Sequence, residues 1–540
     1  MNNKLKTYRR KPSIAKSIFF IPVLVALFFS CDKKEDHNDY EKVKSPIKLS
    51  AEIPVDVNPE LQAKLKEEGD IYQLNEVFNE YSWQAFVAVF WPTDKKGKPK
   101  PNFTDKGKAA WLGWKEAFQV YRQDGGVPAP WESKRDDGGF IKFTNEIVND
   151  TTARIFLSSV TPTGRKRAKN VADETDQAFA GKLYDQNGNV VVYEVLMNKE
   201  EYDYVVTNKL YNINGQIDFT KNGAIADFPA GDYEKNALGA VEIKFAWKIL
   251  EKDDHKERYY RNWGYIEGKD GKLIKKELGM IGFHISQKTP TGKQWVWSTF
   301  EQIDNLDQNV MEKDKRKKVI HPSLTDPNCE ICPVNVDVNQ YNGNPSTFTH
   351  NTGVHGDYWT ISGDTTDKYF ANSDVMKTQA KRMIDIPVRV QQINLKMQAY
   401  FKSQNSVFQY YQLIDTQYPL HQNISPDSHT EEGYKLPGSI TNKSGGEPNL
   451  AYLTNITMET FFQGGNQSAS NFMEDNPASD ITVFGTESCI GCHSSATIYT
   501  GYDIKNKTFT QSNNQLSGDF SWLLSQKAVW NKKTPKPWDK

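Results

Sequence analysis

The chain uses cysteine sparingly, and this limits what can hold it together. Only five of its 540 residues are cysteines, so a fold of this length must be stabilised by a hydrophobic core and not by a disulfide framework. Hydrophobic residues make up 37% and aromatic residues 12%, a composition that supplies such a core. At roughly 150 residues per domain, the length predicts about three units, or one large unit with insertions. The formal net charge of −1 gives no reason to expect nucleic acid as a partner.

The N-terminus has the pattern of an export signal. Residues 1–16 contain several lysines and arginines and no acidic residue, and an almost wholly apolar run follows from Ser17 to Phe29. This run is shorter than the ~20 residues that a membrane-spanning helix needs. We therefore predict a cleaved signal peptide over residues 1–30.

The end of this signal indicates a lipid anchor. Leu27-Phe28-Phe29-Ser30-Cys31 resembles a loose bacterial lipobox, which implies that Cys31 is lipidated and becomes the first mature residue. The alternative is an ordinary secretory signal with an incidental cysteine. Residues 31–60 are charged and contain three prolines, which predicts a flexible tether. We expect an exported protein held by its lipid at a bacterial membrane, the outer one, on its periplasmic or surface face.

Helical periodicity flanks the body of the chain, residues 61–440. Apolar residues recur at spacings of three and four from Ile71 to Tyr81 and again from Val390 to Phe401, which predicts two amphipathic helices. A third helical face is predicted from Trp111 to Tyr121, ending at Gly125-Gly126.

The middle of the body is rich in predicted strands. Val241 to Ile249 alternates strictly, as a half-buried strand does. Asn187-Gly188 predicts a hairpin turn, and Asn214-Gly215 is a second candidate turn between short β-like runs. The other predicted strands are Phe179–Tyr184, Val190–Leu196, Tyr259–Ile266, Leu278–Ser286, Gln294–Phe300 and Val407–Ile414. The predicted fold class is α+β, with an antiparallel-sheet-rich body and flanking helices.

Cys489-Ile490-Gly491-Cys492-His493 is the one motif with a specific chemistry. Two thiols three positions apart can form thioethers with the two vinyl groups of one haem, and the histidine that follows is placed to bind the iron from the proximal side. The motif predicts one covalent haem c, which agrees with export because such haem is attached outside the cytoplasm. The alternative is a Cys489–Cys492 disulfide beside a bystander histidine. Residues 441–540 are predicted to form a mostly helical or irregular haem c segment.

The chain resembles the large single-haem cytochrome c-like lipoproteins of Gram-negative bacteria. The haem motif is the specific part of this resemblance, and the other similar stretches are scattered over the mature chain: Ser82–Ala88, Gly282–Ile285, Trp295–Glu301 and Asn455–Phe461. The resemblance implies covalent haem c and electron transfer. It implies no particular substrate.

The second axial ligand of the iron is not evident from the sequence. Small class I cytochromes c place a methionine well downstream of the motif, but neither Met nor His follows His493. The ligand must therefore come from upstream, or the distal position is open. The candidates are Met458, Met473 and His284, each with core packing as the alternative role. His350 and His355 share a polar loop and are expected to be exposed.

Cys329-Glu-Ile-Cys332 is followed by proline, not histidine, so it is not expected to bind haem. In an oxidising compartment we predict a local disulfide between Cys329 and Cys332.

Two functions of different classes follow from these features. The first is an electron carrier that exchanges electrons with a redox partner protein or a small-molecule donor or acceptor. The second is a haem-dependent oxidoreductase, peroxidase- or oxidase-like, that uses an open distal position. A gas or redox sensor and a non-catalytic binding lipoprotein are further alternatives.

Overall fold

A computed structural model divides the chain into two compact units, Met1–Lys42 and Val43–Lys540, and only the second contains described residues. The described residues are 43–157, 174–175, 177, 181–268, 271–307, 309–313, 316–329, 334–335, 348–353, 356–361, 377–420, 449–450, 453–462, 488–513 and 516–539. Within these ranges, no helix is both long and apolar enough to cross a membrane.

The helices are short except for two. The described helices are α1 (Pro59–Glu67), α2 (Ile71–Val89), α3 (Ala117–Val120), α4 (Asn145–Asn149), α5 (Lys199–Thr207), α6 (Ile213–Thr220), α7 (Val388–Ser403), α8 (Cys489–His493) and α9 (Leu523–Lys527). Single 3₁₀ turns occur at Ala110–Gly113, Lys256–Arg258, Val407–Tyr410, Thr460–Phe462 and Pro537–Asp539. The two long helices, α2 and α7, confirm the two amphipathic helices that the sequence predicts.

Most of the longer strands belong to one sheet. The described strands are β1 (Pro92–Thr93), β2 (Lys108–Ala109), β3 (Lys115–Glu116), β4 (Arg154–Phe156), β5 (Val192–Met197), β6 (Val241–Ile249), β7 (Arg261–Glu267), β8 (Leu273–Gln287), β9 (Val296–Gln302), β10 (Asn309–Lys313), β11 (Arg316–Ile320), β12 (Phe348–Gly353), β13 (Gly356–Ile361), β14 (Tyr411–Gln417), β15 (Tyr499–Asp503) and β16 (Thr508–Gln511). In the sheet their order is β14-β9-β8-β6-β5-β3, and β7 joins β8 to β4. Only the β4–β7 pairing is parallel; the remaining strands form antiparallel pairs. The α+β prediction with antiparallel sheets is confirmed.

One face of the sheet is apolar and packs against α2 and α7. Phe245, Phe283 and Phe300 lie directly opposite one another on β6, β8 and β9. From α2, Trp83 meets Phe300 at a ring-centroid distance of 5.0 Å, and Phe86 meets Phe283 at 5.7 Å. Such aromatic packing gains from both buried area and ring geometry. This is the main hydrophobic core of the described chain.

A β-bulge changes which side chains of β8 face this core. The register shifts between Ala246 and Trp247 on β6, so Ile281 is the extra residue on β8. The sequence predicts that Met280, Gly282 and His284 share one face. Gly282 and His284 do, but Met280 packs with the core and Ile281 belongs to a separate buried cluster.

The second face of the sheet is covered by chain from the C-terminal part. Residues 453–462 lie across it, where Asn455 donates to Thr299 Oγ1 at 2.8 Å and the amide of Ile456 donates to Glu301 at 2.7 Å. Glu301 is fully buried and also pairs with Arg382. Because both faces are covered, polar side chains on this second face must find partners inside the protein.

Three predicted elements differ from the structure because of long-range pairing or capping. The predicted helix Trp111–Tyr121 is split, since β3 is extended and pairs with β5. Asn214-Gly215 is not a turn but part of the first turn of α6, which Asn212 caps. Val407–Tyr410 is a 3₁₀ turn, and the strand predicted there begins at Tyr411.

Five further predicted strands agree with β5, β6, β7, β8 and β9, with bounds that differ by at most a few residues. Tyr184 and Val190 form an antiparallel bridge around Asn187-Gly188, as predicted for a hairpin. Part of the strand predicted before that turn lies outside the described residues. Within the predicted tether, Ile47, Val55 and Val57 are buried, so residues 43–58 pack against the body.

Gly282 offers a test of how closely the covering segment packs on the sheet. A Cβ at this position would lie 1.9 Å from Thr457 Oγ1. We expect Gly282→Ala to lower the free energy of unfolding by about 1–3 kcal/mol, the usual effect of overpacking. Urea unfolding followed by tryptophan fluorescence measures this change. Gly113→Ala is the matched control, since its Cβ would meet nothing within 4 Å; equal effects of the two variants would contradict the packing described.

Candidate haem-attachment site

The helix that carries the two motif cysteines is fixed at its start by one glutamine. The Ser488 side chain caps α8 by accepting from the amide of Gly491. Gln417, at the end of β14, donates to Ser488 Oγ at 2.8 Å and accepts from the amide of Ile490 at 2.7 Å. Gln417 is fully buried. The sheet edge therefore sets the position and direction of a helix that is too short to be stable alone.

Both motif cysteines lie on one helix face and neither is disulfide-bonded. Cys489 and Cys492 are half-buried and not disulfide-bonded. Their spacing of three residues places them side by side on α8. Burial, followed by the nearby Glu459 carboxylate, raises the pKa of the Cys489 thiol well above its ordinary value. Cys489 therefore stays protonated, and neither sulfur is used in a disulfide, so both could form thioethers to haem vinyl groups.

His493 has one ring nitrogen committed and one available. Its Nδ1 lies 2.7 Å from the carbonyl oxygen of Phe520. A carbonyl only accepts, so Nδ1 carries the proton and Nε2 keeps its lone pair. Burial lowers the pKa of His493 to about 4, which keeps the ring neutral. A neutral imidazole oriented by a backbone carbonyl is the arrangement found at metal-binding histidines.

The loop that orients His493 is conformationally strained. Asp519 and Phe520 both have positive φ angles, +48° and +65°. Such angles are rare for residues other than glycine and persist only when the surroundings hold them. Asp519 Oδ2 accepts from Lys288 Nζ at 2.6 Å and from the amide of Phe228 at 2.6 Å. These contacts hold the Phe520 carbonyl in place for His493.

His284 is brought to the same region. It lies on the covered face of β8, directly opposite Lys244 on β6 and Thr299 on β9. Burial lowers its pKa well below the ordinary value, and Lys244 and His493 add to the effect, so His493 lies within electrostatic range. Its Nε2 is buried without a hydrogen-bond partner, and the nearest carboxylate oxygen, on Glu459, is 3.6 Å away. An unpaired buried nitrogen that stays neutral is a candidate iron ligand.

Two charged residues of this region were not predicted from the sequence. Lys244 is half-buried. Loss of water lowers the pKa of Lys244, and the carboxylates of Glu459 and Glu242 oppose this shift. Burial raises the pKa of Glu459 to about 7, with Lys244 opposing. The strict alternation of β6 predicted that Lys244 would face solvent. Only the covering segment, which is distant in sequence, buries it.

The other candidate ligands are placed differently. Met458 is fully buried in a separate cluster that includes Tyr193, Ile281 and Leu324, the packing of a core methionine. Met473 lies outside the described residues. So does His355, and only the backbone of His350 is described, in β12. The structure thus brings His284, but not Met458, toward His493.

The remaining cysteines are partly described. Cys329 is disulfide-bonded. Cys332 and Cys31 lie outside the described residues, so the pairing of Cys329 with Cys332 and the lipidation of Cys31 stay predictions.

The donor set suits a covalently attached haem better than a bare metal ion. Among the described residues, no group of three or more His, Cys, Asp or Glu side chains could hold a metal ion. A haem c needs less from the protein: two thiols on one helix face, one oriented imidazole and, where the iron is six-coordinate, a second ligand. Cys489, Cys492 and His493 meet the first two needs, and the unpaired Nε2 of His284 fits the third.

No protein-family model matches the chain, and neither a curated protein nor a solved structure matches it.

The half-buried carboxyl group of Glu459 predicts a pH dependence of stability. Its folded pKa of about 7 lies above the ordinary 4.5, so the folded state binds this proton more tightly than the unfolded state. The resulting stabilisation is present below pH 4.5 and is lost as the pH rises to about 7, at most about 3 kcal/mol. Glu459→Gln keeps an acceptor for the Asn455 amide but cannot titrate, so it should remove this loss.

Urea unfolding of wild type and variant at pH values from 4.5 to 8 gives the slope of the free energy of unfolding against pH for each protein. The exposed Glu67→Gln is the control and should leave the slope unchanged. If Glu459→Gln also leaves the slope unchanged, Glu459 is not buried as described.

Proposed function

We propose that the protein is an exported, lipid-anchored c-type cytochrome that binds one covalent haem and transfers electrons. The haem c segment of the proposal is residues 441–540. The observation that carries it is the arrangement at α8: two cysteines on one face that form no disulfide, and His493 with its Nδ1 bonded to the Phe520 carbonyl. The basic N-terminal region, the apolar run and Cys31 support export and lipidation.

Each residue of the site has a distinct part in this proposal. Cys489 and Cys492 fix the haem by thioether bonds, so that it cannot dissociate, and His493 Nε2 binds the iron. Phe520 holds the imidazole in one orientation, and Trp297 packs against it at a ring-centroid distance of 4.3 Å. When bound, the haem supplies a one-electron redox centre whose potential depends on its ligands and burial.

His284 is the second axial ligand that the contacts favour. Its ring is neutral, its Nε2 is buried without a hydrogen-bond partner, and it lies within electrostatic range of His493. Met458 is less favoured because its side chain is already enclosed by apolar neighbours. Met473 stays a candidate from the sequence alone. Two histidine ligands would give a six-coordinate iron, which suits a carrier that exchanges electrons with a redox partner protein or a small-molecule donor or acceptor.

A haem-dependent oxidoreductase is the second candidate function. Lys244 and Glu459 lie beside His284, and burial shifts the pKa of each toward neutrality. Groups of this kind suit proton transfer to a peroxide or to oxygen at an open distal position. In that case His284 would act as a proton acceptor rather than as an iron ligand.

Replacing the motif cysteines tests the haem proposal. The exported wild type should show the absorption bands of a c-type haem that acid–acetone does not extract, because the thioethers are covalent. Cys489→Ser with Cys492→Ser should abolish covalent haem, and His493→Ala should alter its spectrum or prevent its attachment. Cys329→Ser is the control and should keep the bands. A wild type without covalent haem, produced with a haem-attachment system, would rule the proposal out.

Carbon monoxide distinguishes the two functions and tests His284. A six-coordinate reduced haem with two histidines resists carbon monoxide, whereas an open position binds it at once. We expect little binding in wild type, in Met458→Leu and in Met473→Leu, and ready binding in His284→Ala. Absorption spectra of the reduced protein with and without the gas give the result. Ready binding by wild type would contradict ligation by His284 and would favour the oxidoreductase.

A further inference from the structure

A row of aromatic rings leads away from His493 through the second hydrophobic cluster. The His493 and Trp297 ring centroids are 4.3 Å apart, and those of Trp297 and Trp295 are 6.2 Å apart, with the two indole planes inclined by 30°. Trp295 then meets Phe228 at 5.8 Å, and Phe228 meets Tyr204 at 4.9 Å. The larger aromatic cluster of the described chain packs with α2 on the opposite face of the sheet. The row of rings is therefore separate from that larger cluster and lies on the same face of the sheet as His493.

Trp295 belongs to a hydrophobic cluster in this row but has a strained backbone and an unpaired indole nitrogen. Its φ angle is +62°, which is a strained value for a bulky residue. It is only 1% exposed, yet its indole Nε1 has no hydrogen-bond partner, whereas buried indoles usually find one. Trp297 beside it is satisfied, because its Nε1 donates to the Gln294 carbonyl at 2.9 Å. Strain of this kind, maintained next to a candidate site, points to a role for the ring.

The row ends at the protein surface. Tyr204 lies on α5 and is half-buried, between the exposed residues Asp203 and Asp227. Its hydroxyl oxygen accepts from the amide of Asp227 at 2.8 Å. Burial raises the pKa of Tyr204 to about 12, so the phenol stays neutral. The outermost ring is thus fixed, uncharged and accessible from one side.

We infer that Trp297, Trp295, Phe228 and Tyr204 form the path by which electrons pass between the haem at His493 and an acceptor or donor docked beside Tyr204. The inference rests on the proposed function. The rings act as a bridge for tunnelling and are not themselves oxidised. In each transfer outward, the haem iron loses one electron and the external acceptor gains that electron. No bond forms or breaks, and no proton moves.

A photochemical label tests the path in the haem-loaded protein. A ruthenium photosensitiser attached at Asp203→Cys, next to Tyr204, is oxidised by a flash and a quencher, and then takes one electron from the reduced haem. We expect this transfer to become several-fold slower in Trp295→Leu and in Phe228→Leu, with the haem spectrum and midpoint potential unchanged. Trp295→Phe keeps a ring and should retain most of the rate.

Two controls separate the path from a general effect on the fold. Phe283→Leu removes a buried ring on the opposite face of the sheet and should leave the rate unchanged. A second label at Leu395→Cys, on the exposed side of α7, should transfer electrons at a rate that Trp295→Leu does not change. The inference is overturned if Trp295→Leu leaves the rate from Asp203→Cys unchanged, or slows both labels equally. Absence of covalent haem would instead overturn the proposed function.

Discussion

Burial of both faces of the central sheet is the constraint from which the candidate site follows. One face is apolar, so its side chains need only close packing. The other face carries polar and charged side chains: Lys244, His284, Thr299 and Glu301. Charged and polar groups lose water when covered, so the cover must supply partners. Residues 453–462 supply them for Thr299 and Glu301. Hydrogen bonding is incomplete at His284, whose Nε2 lacks a partner and which lies within electrostatic range of His493 in the Cys489–His493 motif. A gap of this kind at a covered surface is expected where a ligand completes the packing.

The orientation of His493 depends on a second chain of contacts that starts far from the motif. Lys288 binds Asp519, Asp519 fixes a strained turn, and the turn presents the Phe520 carbonyl to Nδ1. Because the turn residues adopt positive φ angles, the loop would relax without the Lys288 contact. If His493 binds the haem iron as proposed, an imidazole held in this way would keep its direction when the charge of the iron changes, and this would lower the reorganisation that accompanies electron transfer.

Local features of the fold and site could be predicted from the sequence, and long-range ones could not. The motif at Cys489–His493 and the alternation of β6 are local patterns, and the structure places both as helix and strand. Met280 was assigned to the wrong face because the bulge at Ile281 depends on pairing with β6. The helix predicted at Trp111–Tyr121 is interrupted because Glu116, in the middle of it, pairs with Arg154 and Arg135 from other parts of the chain. Lys244 is covered by residues 453–462, which are distant in sequence, so no pattern within β6 could predict this.

The position of Glu459 constrains which of the two functions His284 can serve. If His284 Nε2 binds iron, it offers Glu459 no proton, and the buried carboxylate then relies on Lys244 and on the Asn455 amide. If His284 instead faces an open iron, it lies between a proton donor and the reacting oxygen, and Glu459 must lose and regain its proton in every cycle. The first arrangement requires no movement of the covering segment, which Gly282 holds in direct contact with Thr457, and the compact packing of this face therefore favours the carrier.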